Sequence, residues 1–173
     1  FDHREYWRRS WATSLSAARI AGHFPEVNVD EARLAGLLCD IGRLVLVERL
    51  GQRYGNACRR ARQQGRPILD QEREELGIDH LEASGQLFRR WNFPEPIVRA
   101  IEAQRDAAAI EALDEHSREL AKVLFLSASV CDLVLGRTLP LGALARFDLW
   151  ARLDEPAALA MAAEVSADLR ARD

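Results

Sequence analysis

Apolar positions recur every three or four residues along almost the whole chain, and no stretch alternates apolar and polar residues as a half-buried strand would. This pattern predicts an all-α fold. Trp7, Trp11, Leu15, Ala18 and Ala21 mark a first helix that ends near Gly22 and Pro25. A second helix, capped by Asn28 or Asp30, carries Leu34, Leu37, Leu38, Ile41, Leu44 and Val45. It is apolar on nearly every side, so a central place in the domain is expected for it.

Glycines and prolines divide the rest. A helix from Gln52 to Gln64 follows Gly51 and stops at Gly65-Arg66-Pro67, and a short one runs from Ile68 to Glu75. Asp79 with Glu82 three residues on has the form of a capping box, which puts His80 in the first turn of a helix reaching about Trp91. Pro94 and Pro96 restart the chain through Ile101. Ala103 to Glu115 is expected to be a partly helical surface connection. Ser117 to Leu135 should form a long apolar helix, Pro140 should begin a shorter one, and Glu155 to Leu169 should form an Ala-rich last helix.

With 173 residues the chain is long enough for one domain with a real core. It is 48% hydrophobic and 29% charged, and no apolar run approaches the roughly 20 residues that cross a bilayer. A soluble protein without a membrane partner is therefore expected. Cys39, Cys58 and Cys131 are odd in number and far apart, which fits free thiols in a reducing cytoplasm. A net charge of −3 argues against broad electrostatic capture of nucleic acid. The chain opens at Phe1 with neither an initiator Met nor a secretory signal, which suggests a piece of something longer.

One carboxylate changes the picture. Asp40 sits inside Leu34-Ala-Gly-Leu-Leu-Cys-Asp-Ile-Gly-Arg-Leu-Val-Leu46, where an ionised side chain is costly unless a cation or hydrogen-bond donors accompany it. A metal ion and a positive side chain are the two candidates. Cys39 is either a thiolate ligand or redox sensor, or a small buried apolar residue. His80 is either a ligand or a helix-start histidine that ties down a neighbouring loop by hydrogen bonds. Arg53, Arg59, Arg60, Arg62 and Arg66 could bind phosphate, but the nearby Asp70, Glu72, Glu74 and Glu75 favour a solvated face. Trp7, Trp11 and Trp91 are expected to pack in the core rather than to stack on a base. No GxGxxG, P-loop, HExxH or Ser-His-Asp order is present.

The ordered set Tyr6-Trp7-Arg8-Arg9-Ser10, Leu34 to Leu46, Asp79-His80 through Gly85, and Trp91-Asn-Phe-Pro-Glu-Pro-Ile97 resembles the HDOD family, the HD-related output domains of bacterial signalling proteins. The resemblance implies an HD-domain-like orthogonal helical bundle. It covers residues 1–136 as the second half of such a domain, with residues 137–173 as a helical extension packed on the same domain. Catalytic HD enzymes, a more distant likeness, use two histidines and two aspartates to hold a divalent cation that activates water. Here Arg9 stands at the first His, Cys39 at the His of the pair and Ser129 at the final Asp. Asp40 remains. His80 matches a further His of the family, whereas Gln104 and Arg105 replace a later His pair.

A guanidinium repels a cation, so Arg9 is expected to pair with Asp40 in place of the ion. No catalytic residue, metal or other cofactor is expected. Arg9, Cys39, Asp40, His80, Gln104 and Arg105 become structural or binding candidates at a degenerate site. The resemblance implies a non-catalytic bacterial signalling module with a signalling protein as partner. A reduced phosphohydrolase using Asp40, His80 and Cys39 is the alternative. A nucleotide or phosphorylated messenger held by Arg9, Arg105 or the arginines around Arg59 is a third reading.

Overall fold

A computed structural model describes residues 1–135 and 155–171, and every regular element among them is a helix. Helix α1 (His3–Ala21) starts at Asp2, whose side chain accepts the Glu5 N–H at 3.0 Å. It packs on α2 (Val29–Leu38), which is capped by Asn28, and on α9 (Glu115–Val134). The α1–α2 crossing is close because both contact faces are small. A Cβ on Gly36 would come within 2.9 Å of both the Ala17 Cβ and the Thr13 carbonyl.

That close approach corrects two expectations. The bulky Trp7 and Trp11 are 50% and 40% exposed, because Ala12, Ser16, Ala17 and Ile20 supply the buried face of α1. Trp91, at 52%, lies just beyond the end of α6 (His80–Arg90), where Phe88 takes the buried position and meets the indole edge-on. Likewise α2 is not the central helix. Its contact residues are Ala32, Ala35 and Gly36, which leaves Leu34 45% exposed. The central place belongs to α9, which is buried from Glu119 to Cys131 at every residue but Lys122.

The predicted long second helix is two helices. Between α2 and α3 (Gly42–Leu50), the chain makes tight i to i+3 bonds, Ile41 N–H to Leu38 O at 2.9 Å and Arg43 N–H to Asp40 O at 3.0 Å. The break is set by α6. A Cβ at Gly42 would stand 1.9 Å from the His80 carbonyl, so only glycine permits this backbone-to-backbone contact. The Ser84 hydroxyl completes the junction by accepting the Gly42 N–H at 2.8 Å and lying 3.1 Å from the Cys39 carbonyl.

Helices α4 (Gln52–Gln64) and α5 (Ile68–Leu76) pack on each other, and α4 also packs on α3. Helix α6 joins α3 to α7 (Glu95–Ala103), and α7 rests on α9. Within the predicted surface connection, α8 (Ala107–Glu111) buries Ile110 completely in the core. The last described helix, α10 (Glu155–Arg170), places Ala158, Met161, Val165 and Leu169 in the same core. Arg19 of α1 ties to it through Asp168 at 2.6 Å and Glu164 at 3.3 Å. The helix expected from Pro140 lies outside the described residues.

Candidate functional site

The corner between α2 and α3 delivers Asp40 to the middle of the domain with its carboxylate facing α1 and α6. From α1, Arg9 donates through Nε to Asp40 Oδ2 at 3.1 Å and through Nη1 to Asp132 Oδ1 of α9 at 2.9 Å. From the first turn of α6, His80 brings Nε2 to 3.6 Å from Asp40 Oδ1. The other imidazole nitrogen, Nδ1, lies 2.6 Å from Glu72 Oε2 of α5. Glu72 Oε1 accepts the Tyr54 hydroxyl of α4 at 2.8 Å, and that hydroxyl oxygen accepts from Arg43 Nε of α3 at 3.2 Å.

These contacts form one chain across the domain, Asp132, Arg9, Asp40, His80, Glu72, Tyr54 and Arg43, in which the charged members alternate in sign whenever His80 is protonated and the neutral Tyr54 hydroxyl bridges Glu72 and Arg43. Alternation is what a buried set of charges needs, since each ion is desolvated and must be compensated by its neighbours. Burial opposes the Asp40 charge, yet the bond and charge of His80, then Arg9 and Arg105, hold its carboxyl well below the usual carboxylate range. Burial alone would depress His80. The two carboxylates on either side outweigh it and raise the imidazole above its ordinary value.

Cys39 is buried beside Asp40, with its thiol donating to the Gly36 carbonyl at 3.4 Å. Burial, followed by the Asp40 charge, pushes this thiol well above its usual value, so it stays protonated and neutral. Gln104 ends α7 fully buried with its side chain beside the Cys39 thiol, and neither its amide oxygen nor its amide nitrogen has a geometrically sound hydrogen bond among the described residues. Arg105 adds its positive field to Asp40 and Cys39 and makes no ion pair among the described residues. Ser129 is elsewhere occupied, bonding the Phe125 carbonyl of its own helix at 3.0 Å. The structure thus brings Arg9, Cys39, Asp40, His80, Gln104 and Arg105 to one neighbourhood. It puts Asp132, three residues beyond Ser129, at the α9 position that reaches Arg9. Among the described residues no group of three or more His, Cys, Asp or Glu side chains is arranged to hold a metal ion.

Glu72, Tyr54, Arg43 and Asp132 were not singled out from the sequence. For Glu72 a signal existed. Leu69, Glu72 and Leu76 share one stripe of α5, so a carboxylate lies where the helical period asks for an apolar residue. Glu72 is 0% exposed. The acidic run around it disguised this.

The profile of the HDOD domain matches residues 1–107. The chain belongs to the HDOD family. Solved HDOD-like structures share the helical fold. The MmoQ response regulator from Methylococcus capsulatus str. Bath is 28% identical, with a TM-score of 0.72 over 91% of this chain and 61% of that one. An HDOD domain protein with unknown function from Geobacter sulfurreducens is 20% identical, with a TM-score of 0.74 over 99% of this chain and 62% of that one. The chain therefore spans about three fifths of the length of these relatives. A search of functionally curated proteins gave no match.

Proposed function

We propose that this HDOD chain is a non-catalytic module of bacterial signal transduction that acts by binding a signalling protein. The observation that carries this reading is the Arg9 guanidinium on Asp40 Oδ2 at 3.1 Å. In the HD enzymes that the family resembles, the corresponding carboxylate faces a divalent cation. Here a cation would have to displace a guanidinium bonded to two carboxylates, and the flanking positions offer a neutral thiol and an amide in place of imidazoles. The donor set does not fit a catalytic metal. The 28% identity to the MmoQ response regulator supports the signalling context.

A domain of this kind acts through its surfaces, with the buried charge chain fixing the relative positions of α1, α3, α5, α6 and α9. The test is elemental analysis of protein prepared without chelator, together with a phosphodiesterase assay. The expected result is substoichiometric Mn, Fe and Zn and no turnover. Stoichiometric metal with activity that disappears in Asp40→Ala would overturn the reading in favour of a phosphohydrolase with a reduced ligand set.

A further inference from the structure

The outer end of the buried chain opens into a cavity. Arg43 uses Nε to hold the Tyr54 hydroxyl, and its remaining contact is with the face of the Phe1 ring, 5.9 Å from the ring centroid. Among the described residues neither Nη group has an acceptor, although burial and the Tyr54 anchor fix the guanidinium in place. A guanidinium that is fixed, partly desolvated and short of acceptors is a preorganised anion site, because the usual cost of immobilising the arginine has been met by the fold.

The cavity into which it faces has a volume of about 280 Å³ and is also lined by Asp2, Glu5, Cys58, Arg59 and Arg62. The two acids there are engaged. Asp2 caps α1, and Glu5 holds Arg62 at 2.9 Å. Among the described residues Arg59 is bonded only to the neutral Asn56 side chain, so Arg43 and Arg59 are the two lining arginines without a carboxylate partner there. Two guanidiniums match the double negative charge of a phosphate better than the single charge of a carboxylate. The size is just below that of drug-sized ligand pockets, which run from about 300 Å³ upward, and suits a small ligand.

The geometry points to a phosphate-binding pocket between α1, α3 and α4, in which Arg43 is the fixed anchor and Arg59 the second cation, taking the phosphoryl group of a small ligand. Arg43 is also the last link of the Asp40–His80–Glu72–Tyr54 chain, so an anion on it would reach the centre of the domain through Tyr54. The inference goes beyond the reading above, and metal content and turnover are unaffected by its success or failure.

Cys58 provides the readout. It lines this cavity and is partly exposed, whereas Cys39 and Cys131 are buried, so a thiol reagent applied to the folded protein reports on the pocket. Labelling kinetics are followed against inorganic phosphate at constant ionic strength, with chloride and acetate as controls and Cys58→Ser to verify the reporter. Phosphate should slow labelling several-fold with a saturable dependence and raise the thermal midpoint, while chloride and acetate should not. Arg59→Gln, at the surface and outside the buried chain, should weaken the phosphate dependence, and Arg43→Gln should remove it. Labelling that responds to phosphate no more than to chloride, that responds equally to acetate, or that titrates unchanged in Arg59→Gln would overturn the proposal even if Arg43→Gln failed to fold.

Discussion

A single oxygen of Glu72 receives His80 twice, from the backbone N–H at 2.9 Å and from the imidazole Nδ1 at 2.6 Å. The first turn of α6 is thereby fastened to α5, while the opposite nitrogen of the ring faces Asp40. A ring with carboxylates on both sides favours the doubly protonated form, which fixes the direction of its pH dependence.

Folding should therefore weaken as the medium turns alkaline. A histidine held above its ordinary value of 6.5 binds its proton more tightly when folded, so its contribution is complete below 6.5 and is lost as pH rises through the raised value. Asp40, held below 3.8, contributes fully above that pH and loses its contribution as pH falls through the depressed value. Urea midpoints measured across this range should be highest between the two, and His80→Gln should flatten the alkaline decline. An unchanged decline in that variant would place the titration on another group.

Removing Arg9 should be more damaging than removing either carboxylate that it serves. Arg9→Met leaves Asp40 and Asp132 facing each other's field without the shared cation, and breaking a buried pair in this way costs about 3–5 kcal/mol. Combining Arg9→Met with Asp40→Asn should recover part of the loss. A double-mutant cycle by chemical denaturation measures the coupling, and additive losses would mean that the two side chains do not interact.

Tyr54→Phe removes only an oxygen, yet that oxygen both donates to Glu72 and accepts from Arg43. The Glu72 oxygen, fully buried, would be left without its partner, at an expected cost of about 1–3 kcal/mol. Equilibrium unfolding of the variant checks this value.

Two glycines should respond in opposite ways to the same methyl group. Gly42→Ala drives a Cβ to 1.9 Å from the His80 carbonyl, a backbone atom that cannot swing aside, and should abolish soluble expression. Gly55 lies within α4, where a Cβ would meet the nearest atom at an ordinary 3.5 Å. Gly55→Ala should raise stability by about 0.5–1 kcal/mol through helix propensity alone, read as a rise in the thermal midpoint.

Most of the helices were legible because capping residues, glycines and the helical period agreed with one another, as at Asp79, Gly51 and Gly65. The need for a cation at Asp40 was legible in a carboxylate among leucines, and the resemblance to the HDOD family is what pointed to Arg9. Asp132 was not, because nothing local distinguishes it from other surface acids at the end of a helix, and its role depends on a partner 123 positions away. Tyr54 and Arg43 were hidden for a similar reason. The outward tryptophans were misread because helical spacing gives a face but not which face. The closeness of α1 to α2 decided that, and it rests on Gly36 and alanines whose small size carries little periodic signal.

The stretch that matches the family profile ends at residue 107, but the domain cannot end there. Helix α9 begins eight positions later and supplies the surface on which α1, α2 and α7 all rest, along with the second carboxylate for Arg9. The recognisable half of the domain is thus folded by a half that carries no motif. Along α9 the features that the fold depends on are the volume of its buried apolar residues and two acids, Glu119, which is buried and accepts from Lys122, and Asp132, which accepts from Arg9. Relatives can be expected to diverge freely there while keeping the same architecture, and a truncation placed at the end of the profile should give an aggregating fragment instead of a smaller domain.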